Sequence, residues 1–247
     1  MAKLCLSLMA RLVLVVCVVE LSCGGGAVET VGYSRKLTAL VEEQPLIDDS
    51  YSLGKSLKRT DIAALVESSV KSKALPLPEK SSNSMYLVLT SEDVTVEGFC
   101  MSCCGFHANI LPSPANGGKL LPYVWIGNSA SQFPGQCSWP FHQPIYGPQT
   151  SSLIARNDDI GIDGMVINID TILARAVTNP FNTGYFQGDA SAPLEAVLAC
   201  AGIYGKGAYP SYVGELLVDA TTGASFNAHG VNGRRYLLPV MWDPARH

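Results

Sequence analysis

Residues 161–188 read GIDGMVINIDTILARAVTNPFNTGYFQG, and the spacing of apolar side chains in this stretch decides what must surround it. Met165, Ile169, Ile172, Leu173, Ala176 and Val177 recur at helical intervals, which predicts an amphipathic helix with one apolar stripe packed inward. Asn168 is the expected N-cap, with Asp170 in the first turn at the positive end of the helix dipole. Thr178-Asn179-Pro180 ends the helix, because the residue before a proline is driven out of the helical region.

The polar side of this helix bears on chemistry. A hydrolytic zinc helix needs two neutral imidazoles four residues apart and a carboxylate beside the first. In the register set by the T-N-P turn, those places hold Thr171, Ile172 and Arg175. Thr is a poor zinc ligand, Ile carries no base, and Arg stays protonated and repels a cation. No catalytic residue is expected here; the helix reads as a core element with a hydrogen-bonded polar side.

Upstream, Ile62, Leu65, Val66 and Val70 give a helix from the cap pair Thr60-Asp61 to about Lys71, and residues 73–84 form a Pro- and Ser-rich loop. Met85–Thr90 and Tyr123–Gly127 read as buried strands, with Val94 and Val96 alternating between them. Residues 137–144 should be irregular, since their prolines lack ladder donors. Downstream, residues 193–201 (PLEAVLACA) predict a second buried helix. Residues 215–219 and 235–238 predict strands, and Thr222-Gly223 a turn before residues 225–229. The sum is an α/β fold: one loop-rich domain with a mixed sheet and a few packed helices.

The chain has 247 residues, 47% apolar and 15% charged, with 23 Gly and 15 Pro, enough for one sizeable core. Residues 1–27 read as a secretory leader: Lys3 and Arg11 bracket the apolar run from Leu4 to Val19, and a small-residue exit ends near Ala27. Residues 28–46 read as a polar arm. Removal of the leader leaves 15 basic and 20 acidic groups, a balance that argues against nucleic acid as a partner. No second apolar run of spanning length follows, so no membrane contact is expected once the leader is gone. No cofactor motif is present.

Five cysteines lie beyond the leader: Cys100, Cys103, Cys104, Cys137 and Cys200. In an oxidising compartment thiols pair, so Cys100, Cys104, Cys137 and Cys200 are disulfide candidates, and an odd count leaves at least one thiol over. Cys100, Cys103, Cys104 and His107 also have the donor types of a structural zinc module. His107 and His142 each lie near a cysteine, the pairing used in thiol nucleophiles, although neither has a family-type motif around it. Trp139, His142 and Tyr146 are candidates for surface binding.

Nine runs of this sequence are distinctive: DSYSLGKSL (49–57), EGFCM (97–101), WIGNS (125–129), PGQC (134–137), WPFHQPIYGPQ (139–149), TNPFN (178–182), GYFQ (184–187), YLLP (236–239) and MWDP (241–244). In these the chain resembles the EXORDIUM-like, or phosphate-induced, family of plant secreted proteins, over nearly everything after Ile47. The resemblance implies residues 28–247 as the family domain, an apoplastic or cell-wall location, an extracellular or wall component as partner, a link to brassinosteroid-dependent growth, and no catalysis. Four departures stand out. A strand-and-helix segment usual between the positions of Leu46 and Ile47 is missing, Phe133 replaces a usual cysteine, Cys103 replaces a usual arginine, and the chain ends at His247 before a cysteine-containing tail. The helix is also similar to those of secreted zinc peptidases, in which a downstream glutamate completes the site. On that likeness Glu195 is the relic of a third ligand, and the scaffold is zincin-like without its metal.

Overall fold

The structure, a computed structural model, describes residues 14–22, 38–40, 46–75, 84–101, 103–147, 149–184, 186–188, 194–198 and 202–241. Its centre is a mixed sheet. Strands β1 (Leu14–Ser22), β2 (Thr38–Leu40), β3 (Leu46–Ile47), β5 (Ser84–Thr90), β7 (Gly105–Ile110) and β8 (Leu121–Gly127) are ordered β2-β1-β5-β8-β7, with β3 also pairing β1. β5 and β8 run parallel; β1 and β7 are antiparallel to their neighbours. A separate parallel pair joins β4 (Ser56–Leu57) to β6 (Thr95–Val96).

β5 and β8 read as nearly unbroken apolar runs because both faces of the sheet are covered, as in buried sheets generally. Successive side chains alternate between the faces. Tyr86, Val88, Phe106, Tyr123 and Trp125 join one core cluster with Ile62, Leu65 and Val66 of helix α1 (Arg59–Lys71). Met85, Leu87, Leu89, Val124 and Ile126 point the other way, onto Ile162, Met165, Ile172, Leu173 and Ala176 of helix α3 (Ile160–Thr178). Between them a single turn, α2 (Pro134–Cys137), leads into the irregular stretch expected there. A third cluster of Phe141, Ile167, Tyr204 and Leu237 covers the other side of α3. The molecule is an α/β domain with a mixed sheet and few helices.

α3 ends where the sequence places its end, at Thr178, but its N-cap lies nine residues before Asn168. Asp159 is the N-cap: its carboxylate accepts from the Gly161 and Ile162 amides at 2.9 and 3.0 Å. Asn168 lies mid-helix and donates from Nδ2 to the Cys137 carbonyl at 2.9 Å. Asp170 is also mid-helix, where burial pushes its carboxyl up to about 6. Val177, assigned to the stripe, is 37% exposed. The apolar run starting at Ile160 carried the helix past any polar stop. α1 likewise starts at Arg59, with Asp61 accepting from the Lys58 amide at 2.7 Å.

Two glycines on α3 let the 128–138 loop come close. A Cβ on Gly161 would lie 2.1 Å from Asn128 Oδ1, and one on Gly164 would lie 2.6 Å from Ser138 Oγ and 2.9 Å from Ser138 Cα. Gly164→Ala is therefore expected to destabilise by about 1–3 kcal/mol through overpacking, despite its helix-favouring chemistry. Chemical denaturation checks this, and an unchanged or raised midpoint would show that the loop gives way freely.

Two expectations are corrected. Residues 194–198 are not an α-helix but strand β10 (Leu194–Glu195) and a 3-10 turn, β10 pairing antiparallel with β9 (Phe186–Gln187). Tertiary pairing with the chain leaving α3 overrides the local helix preference. Within the predicted arm, Thr38–Leu40 and Leu46–Ile47 are strands on β1. The apolar run that the sequence reads as a leader pairs here as β1, in register with β5 from Leu14 opposite Thr90 to Glu20 opposite Ser84. Further on, β11 (Leu217–Val218) and β12 (Ser225–Phe226) form the expected hairpin around Gly223, and β13 (Ala228–His229) pairs with β14 (Arg235–Tyr236).

Candidate functional site

Three of the sequence-derived positions meet in one buried cluster. Arg175 lies on α3, Glu195 on β10 and His107 on β7, the strand over which the second half of α3 packs. Arg175 donates to Glu195 Oε1 from Nε at 3.0 Å and from Nη2 at 2.8 Å. His107 Nε2 is 3.0 Å from the same oxygen. Only 4% of the His107 side chain and 7% of that of Glu195 are exposed, which seals the cluster from solvent. Burial by itself raises the Glu195 carboxyl, but hydrogen bonds from His107 and Arg175 and the Arg175 charge more than offset it, leaving it at about 2. Glu195 Oε2 has no hydrogen-bond partner among the described residues.

This arrangement is a poor catalyst. A general base works best with a pKa near the operating pH, and a carboxylate at about 2 that already receives three donors on one oxygen holds protons weakly. Arg175 supplies a fixed positive charge where a zinc helix would carry its second imidazole. Thr171 does not join the cluster; its hydroxyl donates back to the Ile167 carbonyl at 3.0 Å. Ile172 is buried against the sheet. His142 is exposed and bonds the neighbouring Gln143 carbonyl.

The cysteine-rich stretch divides across the sheet. Alternation along the strand puts Phe106 on the α1 side and His107 on the α3 side, while Cys104 packs with the α1-side cluster. Cys100, Cys103, Cys104 and His107 are thus not a common donor set, and among the described residues no group of three acidic, His or Cys side chains has metal-site spacing. Cys104 pairs with Cys137 as a disulfide, and Cys100 and Cys103 are free thiols. Cys200 lies outside the described residues. Cys100 donates to the Gln132 carbonyl at 3.2 Å, and burial, with a smaller contribution from Cys103, pushes its thiol up to about 12. Cys103 is half-buried, and Arg59 Nη2 donates to its sulfur at 3.5 Å. Since the thiolate is the reactive form, iodoacetamide at pH 8 should alkylate Cys103 in the folded chain and Cys100 only after unfolding. Peptide mass spectrometry checks this, and equal rates would mean that Cys100 is open to solvent.

Trp139 is half-buried, with its ring 5.5 Å from that of Tyr204, whereas Tyr146 is 85% exposed. Trp139, His142 and Tyr146 therefore differ sharply in exposure and do not form a flat platform. The sequence reading also missed a cavity lined by Asp163, Asn157, Arg234 and Tyr236, among others. Its walls come from segments about seventy residues apart, and the adjacent Arg234-Arg235 pair was the one local signal.

The model of the phosphate-induced protein 1 conserved region matches residues 27–247. The chain belongs to this family. Within it, the chain is 53% identical over 215 residues to Protein EXORDIUM-like 2 of Arabidopsis thaliana, covering 87% of this chain and 68% of that protein. It is 49% identical over 213 residues to Protein PHOSPHATE-INDUCED 1 of Nicotiana tabacum, 86% of this chain and 65% of the relative. Against Protein EXORDIUM of Arabidopsis thaliana it is 53% identical over 199 residues, 81% and 60% respectively. The chain thus spans about two thirds of these relatives or less. No solved structure matches it.

Proposed function

We propose that this family member is a non-catalytic secreted protein of the plant apoplast or cell wall that takes part in brassinosteroid-dependent growth through an extracellular or wall-bound partner. The observation that carries the non-catalytic part is the buried Arg175–Glu195 pair, in which a permanent cation holds the carboxylate well below the range of a working base. The printed names of the relatives, which describe EXORDIUM and phosphate-induced proteins and no enzyme, agree with it. The leader-like character of residues 1–27 supports secretion.

The test has two arms. A chain tagged at its C-terminus and expressed in plant cells should be recovered in apoplastic wash fluid; retention inside the cell would overturn the location. The purified chain should show no turnover of peptide or glycoside substrates, with or without added zinc. Turnover that disappears in Glu195→Gln would establish the competing reading, a secreted hydrolase, which the convergence of His107 and Glu195 against α3 favours.

A further inference from the structure

At the N-terminal end of α3, on the opposite half of that helix from Arg175, a cavity of about 450 Å³ opens between the first turn and residues 232–237. Asp163 and Arg175 are twelve residues apart, about 18 Å along the axis, and the cavity shares no residue with the buried triad. Its size falls within the roughly 300–1,000 Å³ of small-ligand sites.

The acids around it are already engaged. Asp159 caps the helix through two backbone amides, so the helix terminus is not open to a phosphate. Asp163 is buried and accepts from the Asn157 amide at 2.8 Å and from Asn157 Nδ2 at 2.6 Å. Asp219 takes Arg156 at 3.1 Å and Arg235 at 2.9 Å on one oxygen, which fixes both guanidinium groups in the wall. Arg235 also lies over the Phe226 ring.

The remaining polar groups are one cation and three neutral groups that can both donate and accept. Arg234, half-buried, makes no ion pair among the described residues, and there the Asn232 amide and the Ser225 and Tyr236 hydroxyls have no side-chain partner. Phe141, Ile162 and Leu237, apolar and buried, complete the lining. A fitting ligand has one negative charge, several hydroxyls and an apolar ring face. Bare inorganic anions lack the last two, and neutral sugars lack the first.

We infer that this cavity binds a uronic-acid saccharide, with the sugar carboxylate on Arg234, hydroxyls on Asn232, Ser225 and Tyr236, and the C–H face of a ring against the apolar wall. A planar guanidinium matches a carboxylate in two-point geometry, which gives Arg234 the leading share of selectivity. The extracellular reading above supplies the compartment in which such a sugar is met; the chemistry of the wall stands apart from it.

The test is calorimetric titration of the purified full chain with digalacturonate, cellobiose and sodium sulfate in parallel. Digalacturonate should bind with a Kd below about 1 mM, and cellobiose and sulfate at least about tenfold more weakly, a difference of about 1.4 kcal/mol. Arg234→Gln should weaken digalacturonate about tenfold or more with an unchanged melting temperature, while Arg234→Lys retains part of the affinity. If Arg234→Gln lowers the melting temperature, Asn232→Gly is the second probe: it removes the side-chain amide, keeps the left-handed backbone (φ 58°) without strain, and should weaken binding severalfold. No digalacturonate binding at 10 mM, on the order of 3 kcal/mol or less of affinity, would overturn the inference. So would equal binding of cellobiose or sulfate, or affinity indifferent to Arg234→Gln and Asn232→Gly. Failure here leaves the recovery in wash fluid untouched, and failure of that recovery leaves the titration untouched, so the two readings fall separately.

Discussion

Glu195→Gln is expected to be among the most destabilising single substitutions in this chain, costing about 3–5 kcal/mol, because it leaves the Arg175 charge in the interior without its counter-ion. Arg175 is 23% and Glu195 7% exposed at the side chain, so water recovers little of the loss. The sign with pH follows from the lowered carboxyl. A group held at about 2 in the fold, against 4.5 unfolded, contributes stability that is fully present above pH 4.5 and is lost as pH falls from there toward 2. Wild type and Glu195→Gln should therefore differ most at neutral pH and converge in acid, as read from urea midpoints at pH 7, 5 and 3. Asp170, whose raised carboxyl acts in the opposite sense, is common to both chains and cancels. A gap between the two proteins that stays constant down to pH 3 would mean that Glu195 owes nothing to its two partners.

The other large effect is expected at the opposite end of the molecule. A chain lacking residues 1–27 has no β1, and β5 then presents a free edge along the seven positions that β1 occupies. Open edges of apolar strands recruit other strands; β5 is such a strand, with Met85 through Leu89 all buried. Alternate amides of β5, those bonded to β1, should exchange about 100-fold faster in the shortened chain, while the amides bonded to β8 remain the more protected set. Loss of one sheet neighbour should also lower the thermal midpoint and promote association at micromolar concentration. Hydrogen exchange with mass spectrometry and size-exclusion chromatography check both. Identical protection of residues 84–90 in the two chains would show that β1 contributes nothing to the sheet.

How far the sequence disclosed this architecture depends on what each segment answers to. α3, β5 and β8 were readable because their apolar residues exceed any competing local signal: a stripe for the helix, a continuous run for strands covered on both sides. Start points were less readable. Asp159 and Asn168 are both acceptable caps in isolation, and the buried segment 161–165, visible only against the sheet, selects the first. Residues 194–198 misled, since their composition favours a helix while pairing with β9 determines their conformation. The run Leu14–Ser22 suits either a leader or a buried strand, two uses of the same composition that periodicity does not separate. Arg175 and Glu195 were singled out together, but as relics of a metal site; that the arginine binds the glutamate directly depends on the fold of the return segment. The cavity was illegible because Asp163, Ser225 and Arg234 share no local pattern.

Cys137 stands within range of two suitors. Its sulfur is bonded to Cys104, and the Cys100 sulfur lies 3.2 Å away from it. Attack by Cys100 would exchange one bridge for the other with no oxidant consumed, Cys104 leaving as the thiolate. In the finished fold burial keeps the Cys100 thiol protonated, which slows that trade. Before the α1-side core closes the same brake is absent, so during oxidative folding Cys137 can be locked to either Cys100 or Cys104.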